Sequence, residues 1–122
     1  MRRLIVTNVF GMFLCGCAST VQNDVKPPAV SQAERSAATN RLLDCQLAAA
    51  RKFDDGKSDA ATIGRAVTTV CTLQSEEVFE TITRGQSAAR IRAVRERWPQ
   101  TVNDLSATAV LHVRSGKNEP RP

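Results

Sequence analysis

The 122-residue sequence predicts an all-α domain, and three observations carry that expectation. Apolar residues recur at intervals of three and four over residues 31–53 and 59–83, which is the period of a single helix face. Cys45 and Cys71 lie symmetrically about the polar run 54–59, as residues at equal height on two antiparallel helices do. Tyr is absent, with four Phe and one Trp, so alanine, valine, leucine and isoleucine must supply most of the core, a composition suited to closely approaching helices. The expected architecture is a small disulfide-tied antiparallel helical hairpin plus one or two further helices, after a cleaved signal and a flexible tether.

The chain opens with Arg2 and Arg3, and residues 4–14 are apolar apart from Thr7, Asn8 and Gly11. A charged start followed by about 7–15 apolar residues is the layout of an export signal, and the run is too short for the ~20 residues of a membrane span. Directly after it stands Leu14-Cys15-Gly16-Cys17, which resembles the lipobox of bacterial lipoproteins. The resemblance implies cleavage between Gly16 and Cys17, a diacylglyceryl thioether on the Cys17 sulfur and an acyl chain on the new amino group. Because Ala18-Ser19 follows, with no aspartate after Cys17, it also implies sorting to the outer membrane, facing the periplasm. Membrane contact is thus expected through the lipid anchor, since a second chain converts marginal binding into stable anchoring. The competing reading is an ordinary signal peptide cleaved near Ala18, with Cys15 as one of its apolar residues.

Removing residues 1–16 leaves 106 of the 122 residues, enough for one small domain. The net charge drops from +5 to about +3 with the loss of Arg2 and Arg3. An exported chain of that balance is not expected to bind nucleic acid. Residues 17–30 combine small, polar and β-branched residues with Pro27-Pro28 and show no helical period. They read as a tether, whose 13 residues after Cys17 reach at most roughly 45 Å at about 3.3–3.6 Å per residue. The folded domain is expected over 31–114.

The first helix starts at Ser31-Gln32-Ala33-Glu34, a capping box in which the serine accepts from the third helical N–H and the glutamate reaches back. Ala38, Leu42, Cys45, Ala49 and Phe53 form its apolar face. The run Asp54-Asp55-Gly56-Lys57-Ser58 ends it, with Gly56 suited to the left-handed C-cap and Ser58 to capping the next helix. A second helix is expected from Asp59 to Thr83, with Ile63, Val67, Val70 or Cys71, Gln74, Val78 and Ile82 inward. The midpoint between Cys45 and Cys71 is Ser58, in the turn, so the two cysteines should face each other and form a disulfide in an oxidising compartment. Closing a loop of that length contributes about 3–4 kcal/mol in the chain-entropy picture.

Metal binding is not expected. The mature chain offers His112 and isolated carboxylates but no C-x-x-C or H-x-x-x-H. The run beginning at Asp54 departs from the EF-hand pattern because its glycine comes too early and its twelfth residue is Arg65. No cofactor other than the acyl groups on Cys17 is expected.

Residues 87–98 give a further helix, with Ala88, Ile91, Val94 and Trp98 on one side and Pro99 as its end. Five arginines lie between Arg84 and Arg97 against the single acid Glu96, after an acidic group at Glu76, Glu77 and Glu80. Two readings apply. One is a basic surface for an anionic envelope component, with Arg90, Arg92 and Arg97 as the contacting residues, since the guanidinium fork suits phosphate and carboxylate. The other, favoured by the neighbouring glutamates, is a solvated helix face whose arginines pair with them. Residues 102–113 fit a helix through Val102, Leu105, Ala109 and Val113, or a short strand over 108–113; Asn103-Asp104 favours the helix. Residues 115–122 read as a frayed tail.

Two function classes follow. The first is a noncatalytic, lipid-anchored helical module that binds an envelope protein or other envelope component. The alternative is a small exported enzyme, for which Asp104, His112 and Ser115 are the available groups; the sequence contains no recognisable nucleophile–histidine–acid set, phosphate cradle or metal motif.

Overall fold

A computed structural model describes residues 29–117. The described residues form four helices and no strand: α1 (Gln32–Phe53), α2 (Ala60–Val70), α3 (Thr72–Thr83) and α4 (Ala88–Lys117). The expected all-α class is found. The signal segment 1–16, Cys17 and the tether as far as Pro28 lie outside the described residues. Val30, expected in the tether, is buried against the domain, and its carbonyl accepts from the Arg35 guanidinium at 3.3 Å.

α1 begins as its capping residues dictate, with Ser31 Oγ accepting from the Glu34 N–H at 3.1 Å. The Glu34 carboxylate accepts from Arg84 at 2.6 Å, an engagement with the end of α3 that the capping-box pattern does not foresee. The turn after α1 is built from aspartate side chains that replace missing backbone partners. Asp54 accepts from the Gly56 N–H, and Asp55 accepts from the N–H groups of Lys57 and Ser58 and from the Ser58 hydroxyl. Gly56 has φ of 69°, the left-handed value for which a glycine is suited, but it lies inside the turn; the C-cap expected there is Asp54, whose N–H donates to the Ala50 carbonyl. The cap of α2 is Asp59, which accepts from the Thr62 N–H at 2.9 Å. Ser58 was expected in that role, but its hydroxyl is used inside the turn.

The single second helix expected over 59–83 is broken at Cys71, where φ is −94° and ψ is 21°. The sequence there runs Thr68-Thr69-Val70-Cys71-Thr72, and its threonine hydroxyls compete for backbone carbonyls. Thr69 donates to the Arg65 carbonyl at 3.0 Å, while Thr72 donates to the carbonyls of Thr68 and Thr69. Such back-bonding bends helices. The Cys45–Cys71 disulfide fixes the bend, with a Cα–Cα distance of 5.9 Å. Val70 and Ile82 consequently face solvent while Cys71 carries the inward position.

α4 passes straight through Pro99, which was expected to end a helix. An interior proline costs about 3 kcal/mol through a lost hydrogen bond and a ring clash. Its neighbours Trp98 and Val102 are buried while Pro99 itself is exposed. Burial of two such side chains contributes roughly 1.5–3 kcal/mol each, which offsets the cost. The same continuity removes the strand alternative for 108–113 and extends helix into the expected tail as far as Lys117.

α1 and α4 run parallel, because Gln46 meets Ser106 and Asp54 meets Arg114, the same sixty-residue offset at two heights. The bent α2–α3 rod runs antiparallel to both. It is joined to α1 by the disulfide and by Arg41–Glu77, and to α4 by the Thr68–Ser106 and Trp98–Ser75 hydrogen bonds at 2.9 and 3.0 Å. Gly64 of α2 lies against the α4 backbone; a Cβ placed there would stand 2.9 Å from the Ala107 nitrogen. The core is correspondingly small-residue in character, with Ala38, Ala50, Val67, Val102 and Val110 almost wholly buried.

Candidate functional site

The cysteine pair predicted from the mirror position is present as a disulfide, with the Cys71 residue fully buried. Its position at the α2–α3 bend makes it structural: it joins the middle of α1 to the point where the antiparallel rod changes direction. Cys17 lies outside the described residues.

The arginine-rich segment divides. Arg95 makes two hydrogen bonds to the Glu76 carboxylate, at 2.7 and 3.0 Å, and its guanidinium stacks 3.5 Å above the centre of the Phe79 ring. Arg84 pairs with Glu34, and Arg41 of α1 takes Glu77, whose carboxyl that hydrogen bond lowers below its ordinary range. The acidic group is thereby largely neutralised from inside the fold. Arg90, Arg92 and Arg97 are exposed and have no acidic partner among the described residues. Arg90 and Arg97, two turns apart, border one shallow depression on α4 together with Val94 and Trp98. At about 100° per residue, Arg92 projects roughly 160° away from Arg90. The three do not make one patch.

The groups available to an enzyme are not brought together. Asp104 and His112 are eight residues apart on α4, a rise of about 12 Å. The Asp104 carboxylate accepts from Gln100 at 2.7 Å, and the Ser115 hydroxyl donates to the His112 carbonyl at 2.8 Å. None of these bonds links the imidazole to an acid or a nucleophile. In the turn, the carboxylates of Asp54, Asp55 and Asp59 are all engaged by protein donors. The Ser58 and Lys57 N–H groups and the Ser58 hydroxyl hold Asp55 down to about 2. Thr62, through its hydroxyl and then its N–H, lowers Asp59. No cluster of three metal-ligating groups occurs among the described residues.

A groove between α1 and α4, which sequence reasoning did not identify, has the most apolar lining. Leu43, Leu47, Leu105, Ala109 and His112 line it, and it encloses about 290 Å³. Leu43 is 47% exposed and Leu105 46%, so its walls are open to solvent. An adjoining hollow reaches Arg51 and Gly116. Below the groove, Gln46 donates to the Ser106 hydroxyl at 3.0 Å, and Thr68 donates to the same oxygen. This buried link spans α1, α2 and α4. A further unforeseen tie is Arg114, which reaches the buried Asp54 carboxylate and the Ser58 carbonyl, raising the guanidinium's affinity for its proton chiefly through the Asp54 hydrogen bond. The signal that locates these features is the sixty-residue offset of polar pairs, which becomes visible only once the helices are known to be parallel.

No helix among the described residues is long and apolar enough to cross a membrane. Comparison with known protein families, curated proteins and solved structures finds no match.

Proposed function

We propose that this chain is a lipid-anchored module of the bacterial cell envelope, held through Cys17 at the outer membrane and facing the periplasm. In this reading it acts without catalysis, by presenting helix faces to an envelope partner. The observation that carries the proposal is the placement of Cys17 at the end of Leu14-Cys15-Gly16-Cys17, directly after a charged and then apolar segment. The Cys45–Cys71 disulfide supports it independently, because disulfides form and persist in oxidising compartments. The α1–α4 groove supplies an apolar face, and Arg90 with Arg97 supplies a cationic one.

Labelling of cells with a fatty acid tests the anchor. Label should enter the wild-type chain, fail to enter Cys17→Ser, and fractionate with outer membranes. Label that persists in Cys17→Ser removes the assignment. Crosslinking of the anchored protein in cells, followed by identification of what it captures, tests the interaction role.

A further inference from the structure

We propose that the α1–α4 groove is a self-association surface on which a second copy of this chain packs antiparallel, with like helices facing. The argument begins with the parallel register of α1 and α4. The Gln46–Ser106 and Asp54–Arg114 bonds put residue n of α1 level with residue n + 60 of α4. Asp44 and Asp104 therefore stand at one height, each one residue from an exposed leucine, Leu43 and Leu105. Arg51 and His112 stand together about 11 Å further down. The apolar side chains run from the level of the two aspartates toward that of Arg51 and His112.

A two-fold axis across the groove at the height of Leu47 turns this pattern onto itself. It lays α1 on α1 and α4 on α4 with direction reversed, so Asp44 of one copy meets Arg51 of the other and Asp104 meets His112, each pair occurring twice. Such an isologous contact is self-complementary and closes at two copies. Asp44 and Arg51 have no other ion-pair partner among the described residues, and Asp104 is held only by Gln100. The leucines of both copies fill the centre. The opposite, parallel pairing would set Asp44 against Asp104 twice and leave Arg51 without an acid, which disfavours it.

The length of α4 along the groove, from about Thr101 to Gly116, gives a footprint of roughly 22 Å by the width of two helices, on the order of 450 Å² per copy. Two copies bury roughly 900 Å², near the ~1,000 Å² lower limit of specific interfaces. Weak, reversible association is the consistent outcome. This inference concerns the helical domain and does not depend on the acyl anchor.

The test is sedimentation velocity on the full chain carrying Cys15→Ser and Cys17→Ser, which leaves neither an acyl site nor a stray thiol. The expected result is a reversible monomer–dimer equilibrium. Asp44→Arg, which sets arginine against Arg51 twice, should weaken the dimer by at least roughly tenfold, and Arg51→Asp should do the same. The double variant Asp44→Arg/Arg51→Asp should restore association to within about threefold, because the swapped pairs match again. Leu43→Gln/Leu105→Gln should also weaken it, with unchanged far-UV circular dichroism, since both side chains are exposed. A chain that stays monomeric to about 1 mM, and so leaves the groove to some other occupant, overturns the proposal. A dimer indifferent to the charge swap, or one the double variant fails to restore, overturns it equally.

Discussion

Gly64→Ala sets two large effects against each other, and the geometry decides between them. Gly64 is an interior residue of α2, where alanine is favoured over glycine by about 1 kcal/mol through backbone entropy. A buried methyl group adds up to about 0.8 kcal/mol. From sequence alone the substitution should stabilise. In the structure, however, the new Cβ would lie 2.9 Å from the Ala107 nitrogen, 3.1 Å from its Cα and 3.3 Å from its Cβ. Carbon contacts are optimal near 3.5–4.0 Å, so α2 and α4 must separate by about 0.5–1 Å. The obstructing atoms are backbone and cannot rotate aside. Separation also stretches the Thr68–Ser106 hydrogen bond one turn away and the Arg114–Ser58 bond beyond the other end of the contact.

Overpacking of this kind costs about 1–3 kcal/mol, and a weakened buried hydrogen bond adds about 1 kcal/mol. The net expectation is a loss of roughly 1–2 kcal/mol, or about 4–16 °C in Tm at the ~4–8 °C per kcal/mol typical of this size. Thermal and urea unfolding followed by circular dichroism measure it. Gly116→Ala serves as the control, because that position lies in α4 with nothing within 4 Å of its Cβ, and should be neutral or slightly stabilising. Adding Ala107→Gly to Gly64→Ala removes only the 3.3 Å contact, so rescue should be partial. A Gly64→Ala chain as stable as wild type, or more so, refutes the close-approach argument.

Replacing both disulfide cysteines, Cys45→Ala/Cys71→Ala, should cost about 3–4 kcal/mol in urea unfolding, whereas non-reducing peptide mapping of the wild type should recover a Cys45–Cys71 linked fragment. Ser106→Ala leaves the buried Gln46 amide and the Thr68 hydroxyl without their acceptor and should cost about 1–3 kcal/mol; adding Gln46→Leu should recover part of that loss. The Asp55 carboxyl is held at about 2 by the Ser58 and Lys57 N–H groups, so its ionised form favours folding above its unfolded value near 3.9. That contribution is lost as pH falls from about 4 through 2, and Tm measured across this range should fall less steeply in Asp55→Ala. Arg90→Gln/Arg97→Gln should leave stability within about 0.5 kcal/mol, because neither side chain pairs with an acid; a larger fall would assign them a structural role.

The elements whose signals are local were legible in the sequence. Ser31 capping, the left-handed Gly56 and the facing cysteines all depend on spacing or on short-range backbone chemistry, and each appears where the spacing puts it. The misreadings share a cause, which is burial contributed by a distant element. Pro99 reads as a stop until Trp98 and Val102 are seen to pack against helices remote in sequence. The bend at Cys71 is written in Thr68, Thr69 and Thr72, yet the heptad-like pattern of Ile63, Val67 and Val78 runs past it and masks it. Of the candidate site, the disulfide was legible from the mirror position. The groove was not, because its two walls are sixty residues apart and its leucines look like core residues on each helix taken alone.

That last point connects composition to the surface. Alanine, valine, leucine and isoleucine were expected to fill the core together, but most of the leucines stand outside it. Ala38, Ala50, Val67, Val102 and Val110 are buried almost completely, whereas Leu43, Leu73, Leu105 and Leu111 are all at least 46% exposed. A glycine in contact with backbone and a disulfide across the helix pair hold the helices too close for many large side chains between them. Only Leu42 among the described leucines is fully inside. The displaced side chains must stand outside, and where α1 and α4 run parallel they gather along one groove instead of scattering. Isolated exposed leucines such as Leu73 are ordinary on a small domain, while a leucine-lined groove flanked by charged residues is a surface with a preferred partner geometry. The close packing that stabilises this fold with few aromatic residues is thus also what leaves it an apolar face to present.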